Sequence, residues 1–194
     1  HTACGALDIR NQCSGFVYGL SVADQFIRSG MYKNILLVGA EIHSFGLDFS
    51  TRGRNVSVIF GDGAGAVLLQ PTEEENRGVL TTKLHSDGTY AEKLCMISPG
   101  SHGGYHNKYQ EEPIDYGFDP ELDLGGLLFT DKMAEDGLLF PYMDGQFVFK
   151  FAVQKFPEVV QEMLQETQIP LSELNMFIPH QANLRITQFV QRRL

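Results

Sequence analysis

The hydrophobic pattern of the first forty residues predicts a strand, a helix and a second strand. A short strand is predicted at residues 5–9, and apolar positions recur at helical spacing over residues 14–29. That helix carries apolar residues on several faces, which predicts that it is deeply buried. NILLVGA at residues 34–40 is a continuous apolar run, typical of a fully buried strand in a parallel sheet. The pattern therefore predicts one βαβ unit.

The middle of the chain changes from strand patterns to an irregular stretch. Further strands are predicted at VSVIF, AVLLQ and GVLTTKL, which occupy residues 56–60, 66–70 and 78–84. Residues 87–144 are rich in Gly, Pro, Tyr and His and show little periodicity. We expect a long excursion there with some local structure, of the kind that forms functional lids or flexible segments.

Regular patterning returns in the last fifty residues. A helix is predicted over residues 145–167, with an adjustment near Pro157, followed by a strand at 175–179 and a helix at 182–194. This element order repeats that of the first block, which indicates a duplicated architecture. The predicted parts of the chain are residues 1–86, 87–144 and 145–194.

Composition and charge exclude several function classes. The formal net charge of -9 argues against nucleic acid and anionic membranes as partners. The three cysteines lack CxxC or Cys/His ligand spacing, so we expect a reducing, cytoplasmic setting without disulfides or structural zinc. His102 and His106 in SHGGYH have no carboxylate or thiolate companions, and no metal is expected there. The chain starts at His1 and stops inside an amphipathic pattern, so we expect a piece of a longer protein.

Cys13 is the first candidate for chemistry. It lies where the first predicted strand leads into a helix, and the field at a helix N-terminus favours thiolate over thiol. In Gln12-Cys13-Ser14-Gly15, small residues leave room for a substrate carbonyl, and backbone N–H groups there are expected to be free to donate. The alternative is a small buried apolar side chain, which is common for cysteine.

His180 is the second candidate, in NMFIPHQANLRI. A histidine at a strand end acts as a base or hydrogen-bond donor in catalysis, or it has a structural role in which neighbouring groups satisfy its hydrogen bonds. The functional interpretation gains weight because Cys13 occupies a matching strand-to-helix junction, and carboxyl ends of strands in one sheet face the same crevice.

GDGAGA, which begins at Gly61, contains the spacing of a dinucleotide fingerprint. That fingerprint must open a helix, whereas AVLLQP continues as a strand and ends at proline. We therefore interpret the glycines as a tight turn or a close crossing in the core.

Two basic regions are further candidates for binding. Arg52 and Arg54 lie in a polar loop, which is either solvated or a clamp on phosphate. On the last helix the arginines recur at i, i+7 and i+8 near one face, and Lys150 lies on the preceding helix. A basic face in an acidic chain suggests an acidic partner, the alternative being a solubilising surface.

Three long motifs, in this order, carry a family resemblance. LDIRNQCSGFVYGLSVADQFIRSG, IFGDGAGAVLL and FIPHQANLRI closely resemble β-ketoacyl-acyl carrier protein synthase III, a member of the thiolase-like superfamily. The resemblance implies an α/β fold with a thiolase-like layered α-β-α-β-α architecture, incomplete in this chain. It implies an acyltransferase of fatty-acid synthesis that condenses acyl-CoA with malonyl-acyl carrier protein, without a metal or redox cofactor.

The resemblance also implies roles for particular residues. Cys13 is the acyl-accepting nucleophile and His180 serves the decarboxylative condensation. Substrate contacts are implied for Arg52, Gly145, Phe149 and Asn183. Carrier-protein contacts are implied for Lys150, Gln181, Ala182, Asn183, Leu184, Arg185, Arg192 and Arg193. A third catalytic residue, an asparagine, is expected beyond Leu194, and the family pattern predicts a homodimer.

Alternative functions remain open on the sequence. Another thiolase-superfamily enzyme acting on acyl-CoA would share the nucleophile, and a degradative thiolase would need a second cysteine near its C-terminus. A truncated thiolase-like scaffold would keep the fold without catalysis. A Cys-His hydrolase has similar residue types, but HQANLRI and GDGAGA argue against it by resemblance.

Overall fold

A computed structural model describes residues 3–96 and 134–194. The helices with described bounds are α1 (Gly15–Arg28), α2 (Arg54–Ser57), α3 (Gly145–Thr167) and α4 (Leu184–Gln191). The strands in this part of the chain are β1 (Ile35–Glu41), β2 (Gly63–Leu69), β3 (Leu94–Met96) and β4 (Pro141–Met143). Within the described ranges, no helix has both the length and the apolar character needed to cross a membrane.

The described residues divide into two compact units. The first unit contains residues 3–42, 62–86 and 152–194, and the second contains residues 43–61 together with 87–96 and 134–151. Most of the predicted excursion at residues 87–144, including His102 and His106, lies outside the described residues. The predicted three-part division therefore stays a prediction.

A two-stranded sheet and α1 form the centre of the first unit. β1 and β2 pair antiparallel, from Ile35 opposite Leu69 to Glu41 opposite Gly63. α1 lies against one face of this sheet, where a Cβ on Gly19 would come within 2.7 Å of Leu37 Cδ1. A side chain at Gly19 would therefore push α1 away from β1.

The other face of this sheet is apolar and exposed. Leu36, Val38 and Leu68 keep 66%, 55% and 62% of their surface accessible. The prediction of a fully buried parallel strand at residues 34–40 is therefore wrong for this chain, because only one face of β1 is covered and its neighbour runs antiparallel. The prediction of a deeply buried α1 is also wrong, since Gly19 and Ala23 are its buried residues.

Several predicted strands do not form. Residues 5–9, 78–84 and 175–179 are irregular, so the first strand of the predicted βαβ unit is missing. A strand requires a neighbouring edge for its backbone hydrogen bonds, and an apolar run alone does not supply one. Residues 56–60 are not a strand either, since Val56 and Ser57 donate their N–H groups to the Gly53 carbonyl and continue α2.

The irregular segment at residues 78–86 connects α1 with α3. Arg28 Nη2 donates to the Val79 carbonyl at 2.8 Å. On α3, Glu166 accepts from Thr81 and pairs with Lys83, and Glu162 lies 2.7 Å from His85 Nε2. A shallow depression of about 380 Å³ beside Thr81 includes neither Cys13 nor His180 in its lining.

The packed core of the first unit comes from three helices. Its buried apolar side chains are Ala23, Val153, Ile186 and Val190. Pro157 is buried inside α3, and the predicted helix over residues 145–167 continues through it. The predicted helix at residues 182–194 is shorter in the structure, since α4 begins at Leu184 and ends at Gln191.

The second unit is built on the antiparallel pair of β3 and β4. Leu94 lies opposite Met143, and Asp144 N donates to the Lys93 carbonyl at 2.8 Å directly after β4. The start of α3 follows, where Asp144 Oδ1 accepts from Phe147 N at 3.0 Å. This capping hydrogen bond satisfies one of the N–H groups that a helix start leaves unpaired.

Candidate functional site

Cys13 lies in a tight turn at the start of α1. We call residues 11–15 the Cys13 turn. A short 3₁₀ segment, Gln12–Ser14, leads directly into the helix, and Gln12 has φ 42°. Left-handed backbone is costly for a residue other than glycine and is concentrated at functional sites. The strained position immediately before the cysteine therefore supports a functional interpretation of this turn.

The hydrogen bonds of the Cys13 turn join its two ends. Ser14 N and Ser14 Oγ both donate to the Asn11 carbonyl, at 3.2 and 3.1 Å. Asn11 Nδ2 donates to Ser14 Oγ at 3.0 Å. These three contacts fix the backbone on either side of Cys13 without involving its sulfur.

The structure reverses the expected electrostatics of Cys13. Although Cys13 is exposed as a residue, protein atoms crowd its sulfur, and this burial is the largest cause that raises the pKa of the thiol. The hydrogen bond from its own backbone N–H lowers the pKa, and the negative charge of Glu41 raises it. The prediction that the start of α1 yields a thiolate near neutral pH is therefore wrong for this structure.

The backbone donors beside the sulfur are fewer than expected. Ser14 N–H is bonded to the Asn11 carbonyl and Gly15 N–H to the Gln12 carbonyl, so neither is free to bind a substrate oxygen. The Cys13 N–H donates to its own sulfur, the atom that an acyl carbonyl would approach during attack. Of these three N–H groups, that of Cys13 is the candidate for stabilising an oxyanion.

His180 lies in the same unit, in the extended segment before α4. The residue is exposed and follows half-buried Pro179. Residues 174–180 form no strand, so the predicted strand-to-helix junction is instead an extended segment followed by a helix. Gln181 is exposed and Ala182 is half-buried.

Asn183 caps α4. Its Oδ1 accepts from Arg185 N at 2.9 Å, which occupies the oxygen and leaves the amide nitrogen as the donor that could meet a substrate. Leu184 and Arg185 are exposed in the first turn of the helix. Sequence reasoning missed this capping role, although asparagine before a helical apolar pattern is its usual signal.

The C-terminal end of α4 carries two of the predicted carrier contacts. Arg192 and Arg193 are exposed, and their guanidinium carbons lie 5.9 and 4.9 Å from the centre of the Phe189 ring. Contact with an aromatic face favours extended, ordered arginine side chains. The structure thus holds two cations at one end of this helix.

Arg52 belongs to the second unit and is held on three sides. Its Nε donates to Asp48 Oδ2 at 2.6 Å, and Nη1 donates to the Glu135 carbonyl at 2.7 Å. The guanidinium carbon lies 5.7 Å from the centre of the Phe140 ring. Asp48 was not predicted as a site residue, because it lies with Arg52 in a loop, where i,i+4 spacing does not indicate a pair.

Gly145, Phe149 and Lys150 lie in the first two turns of α3. Gly145 and Lys150 are exposed, and Phe149 is half-buried. A Cβ on Gly145 would meet Met143 Cε at 3.7 Å, an ordinary contact, so packing alone does not require glycine there. The Asp144 cap fixes the start of the helix from which these side chains extend.

The sequence of this chain is similar to those of known proteins. The sequence model of 3-oxoacyl-[acyl-carrier-protein] synthase III matches residues 7–88. A β-ketoacyl-[acyl-carrier-protein] synthase III from Aliivibrio fischeri is 39% identical over 191 residues, which are 98% of this chain and 49% of that protein. The chain thus spans about half the length of this relative. The chain is a synthase III-like protein.

Solved structures agree with this assignment. A β-ketoacyl-[acyl carrier protein] synthase III from Thermus thermophilus aligns with a TM-score of 0.72 and 28% identity, over 97% of this chain and 49% of that one. A priming β-ketosynthase from the R1128 polyketide biosynthetic pathway aligns with a TM-score of 0.68 and 28% identity, over 98% of this chain and 48% of that one. The synthase III-like chain therefore has an incomplete thiolase-like α/β fold.

The predicted site residues of the synthase III-like chain fall into the two units. Cys13 and His180 share the first unit with Asn183 and the arginines of α4. Arg52, Gly145, Phe149 and Lys150 belong to the second unit. Sequence reasoning also missed Glu41, whose charge acts on Cys13 from a distant part of the sequence and leaves no local signal.

Proposed function

We propose that the full-length protein containing this chain condenses an acyl group from acyl-CoA with malonyl-acyl carrier protein, the step that begins fatty-acid synthesis. The observation that carries this proposal is the Cys13 turn, which presents an exposed cysteine beside its own N–H at the start of α1. The match to synthase III proteins over nearly the whole chain supports it.

The first step is acyl transfer to Cys13. The sulfur attacks the thioester carbonyl of acyl-CoA, a new S–C bond forms, and the bond from the carbonyl carbon to the CoA sulfur breaks. The Cys13 N–H donates to the oxyanion of the tetrahedral intermediate. The thiol proton ends on the departing CoA thiolate, so the raised pKa of Cys13 makes removal of that proton part of the barrier.

The second step is condensation with a malonyl thioester. Loss of CO2 leaves an enolate, and hydrogen-bond donation from His180 stabilises the charge on its oxygen. The enolate carbon attacks the acyl-Cys13 carbonyl, and the Cys13 sulfur leaves. The product is a β-ketoacyl thioester on the carrier protein. His180 is suited to this role because it is exposed and lies in the same unit as Cys13.

The remaining assignments concern residues that bind the nucleotide end and the pantetheine arm of the substrates. We assign Arg52 to the nucleotide end of CoA and the Asn183 amide nitrogen to the pantetheine arm. Gly145 and Phe149 are assigned to the wall of the pantetheine tunnel. These assignments rest on the resemblance of the surrounding motifs, and the exposure of the Arg52 guanidinium is compatible with ligand contact.

Carrier protein, assembly and compartment belong to the same proposal. The acidic carrier protein docks on exposed basic residues, namely Lys150, Arg185, Arg192 and Arg193. Gln181, Ala182, Asn183 and Leu184 complete that contact. We further propose that the full-length protein is a cytoplasmic homodimer. It uses acyl-CoA and malonyl-carrier protein as substrates and has no resident cofactor.

The decisive test is self-acylation of the full-length protein. We expect intact-mass measurement after incubation with short and medium acyl-CoAs to show one acyl adduct. The adduct should disappear in Cys13→Ala and persist in the matched controls Cys4→Ala and Cys95→Ala. We expect His180→Ala to form the adduct but to lose condensation with malonyl-carrier protein.

The same measurement separates the alternatives. A full-length protein that forms no adduct would support a non-catalytic scaffold and contradict the proposal. An undiminished adduct in Cys13→Ala would contradict the assignment of the nucleophile. A priming role in polyketide synthesis, suggested by the likeness to the R1128 ketosynthase, would keep the adduct but change the preferred acyl group.

A further inference from the structure

The loop that carries Arg52 is closed by Asp48. We call residues 48–53 the Arg52 turn. Asp48 Oδ1 accepts from Ser50 N at 2.9 Å, while Oδ2 accepts from Arg52 Nε at 2.6 Å. One carboxylate thus fixes both the backbone of the turn and the side chain at its end. Asp48 is only 9% exposed, whereas Arg52 is 49% exposed, so the fixed partner lies inside and the cation outside.

The backbone of the Arg52 turn passes close to Asp48 at Gly53. Gly53 N donates to the Ser50 carbonyl at 3.1 Å. A Cβ on Gly53 would lie 1.9 Å from the Asp48 carbonyl oxygen and 2.5 Å from its Cβ. Only glycine allows the chain to return this close to Asp48. The distance from Asp48 to the start of α2 is therefore set by direct backbone contact.

Residues 135–140 pack closely against the Arg52 guanidinium. A Cβ on Gly137 would lie 2.8 Å from Arg52 Cζ, 2.9 Å from Nε and 3.0 Å from Nη1. The nearby Glu135 carbonyl accepts from Nη1, and the Phe140 ring flanks the group. Two segments, residues 48–53 and 135–140, thus hold one exposed arginine. This is unusual for a solvated surface cation, because such side chains are generally mobile.

We propose that Asp48 is a positioning residue that holds the Arg52 guanidinium in the orientation that binds the nucleotide end of CoA. This inference rests on the proposed function of Arg52. A free arginine loses rotamer freedom when a ligand binds, and a partner that orders it beforehand removes that cost from the affinity. Hydrogen bonds from Ser50 and Arg52 hold the pKa of the Asp48 carboxyl at about 2, so the partner stays ionised at neutral pH.

The test compares CoA with pantetheine, which lacks the nucleotide end. Binding of each to the full-length protein is measured by calorimetry for the wild type, Asp48→Asn and Arg52→Ala. Asparagine keeps an oxygen for Ser50 N–H but replaces the acceptor for Arg52 Nε with a donor. We expect Asp48→Asn to weaken CoA binding about tenfold and to leave pantetheine binding unchanged.

A glycine pair supplies a second, matched comparison. Gly137 and Gly30 have nearly equal positive φ, +77° and +75°, so alanine imposes the same backbone strain at both. Nothing lies within 4 Å of a Cβ at Gly30, whereas at Gly137 it would collide with the Arg52 guanidinium. We expect Gly137→Ala to reduce the preference for CoA over pantetheine and Gly30→Ala to leave it intact.

The double variant and the acylation assay distinguish failure of the Asp48 inference from failure of the proposed catalysis. If Asp48 acts through Arg52, Asp48→Asn/Arg52→Ala binds CoA as Arg52→Ala does. An unchanged preference for CoA in Asp48→Asn overturns the inference, as does equal weakening of CoA and pantetheine, which indicates general damage. A wild type without any preference for CoA also overturns it. Absence of a Cys13 adduct contradicts the proposed catalysis separately, because CoA binding does not require acyl transfer.

Discussion

The Cys13 turn and the Arg52 turn share one backbone hydrogen-bond pattern but differ in the contacts of their functional side chains. Each closes with a backbone hydrogen bond to the residue three positions earlier, at 3.2 and 3.1 Å, and each leads into a helix. In the Cys13 turn the side-chain hydrogen bonds join Asn11 with Ser14. In the Arg52 turn the Asp48 carboxylate accepts from the Ser50 backbone and also from the functional guanidinium itself. One turn therefore orders the backbone around a reactive atom, whereas the other orders the functional atoms.

The difference shows that position at a helix start does not fix the charge state of a group. The field at a helix terminus contributes about 0.3–1 kcal/mol for surface groups. Burial opposes the charged form of a thiol and can shift its pKa by more than that field compensates. At Cys13 burial dominates and Glu41 adds repulsion, so the thiol is favoured. At Asp48 the hydrogen bonds from Ser50 and Arg52 outweigh burial, and the charged form is favoured.

The largest expected effect tests how closely each turn is packed. Gly53→Ala places a methyl group 1.9 Å from the Asp48 carbonyl oxygen, so the backbone must move. We expect a loss of about 3 kcal/mol in the free energy of unfolding. Gly15 has helical dihedral angles, φ -54° and ψ -37°, and a Cβ there would meet only the Ile9 carbonyl, at 4.0 Å. We expect it to stabilise the protein by about 0.4–1 kcal/mol.

Urea unfolding of the two full-length variants measures this difference, with circular dichroism to follow the helices. Similar stability losses in Gly53→Ala and Gly15→Ala would contradict the view that the Arg52 turn is closed by backbone contact and the Cys13 turn is open.

The sequence predicted the parts of the fold that depend on local periodicity. α1, α3, α4 and β1 formed close to their predicted positions because helical spacing and a continuous apolar run are local signals. The strands predicted at residues 5–9 and 175–179 did not form, since strand pairing depends on a neighbouring edge that a local pattern does not report.

The site shows the same limit. The position of Cys13 at a helix start was predictable, but its pKa depends on burial and on Glu41, which are tertiary effects. Arg52 was predicted as a candidate, whereas its contacts with the Glu135 carbonyl and Gly137 come from a distant segment. Residue types therefore identified candidate groups, and tertiary packing determined their charge and mobility.

The next prediction concerns the reactivity of Cys13. Because its pKa is raised, the alkylation rate with iodoacetamide should increase about tenfold per pH unit and should still be rising at pH 9.0, the ordinary pKa of the group. The measurement uses full-length Cys4→Ser/Cys95→Ser, so that Cys13 is the cysteine of this chain that reacts. A rate that levels off near neutral pH would show a thiolate and would contradict the raised pKa.

Glu41→Gln sharpens this prediction. Removing the negative charge should lower the pKa of Cys13 and speed alkylation at pH 8, by less than about tenfold because burial is the larger cause. Asp24→Asn provides a control, since it removes an acidic group that contributes no cause of the Cys13 shift. Equal acceleration in both variants would indicate a general charge effect rather than local repulsion by Glu41.

The smallest expected effect is the pH dependence of the Asp48 interaction. The folded-state pKa of about 2 lies below the ordinary value of 3.8, so the ionised carboxylate contributes stability at neutral pH. That contribution is present above pH 3.8 and is lost as the pH falls towards 2. We therefore expect Asp48→Asn to be slightly less stable than the wild type at pH 7. The difference should shrink between pH 4 and pH 2, because over this range the carboxyl is protonated in the unfolded state before it is protonated in the folded state. Urea unfolding across this range, supported by NMR titration of the Asp48 carboxyl carbon, measures it. A constant difference throughout would mean that the side-chain charge is irrelevant and that the Arg52 turn depends only on the hydrogen bond to Ser50.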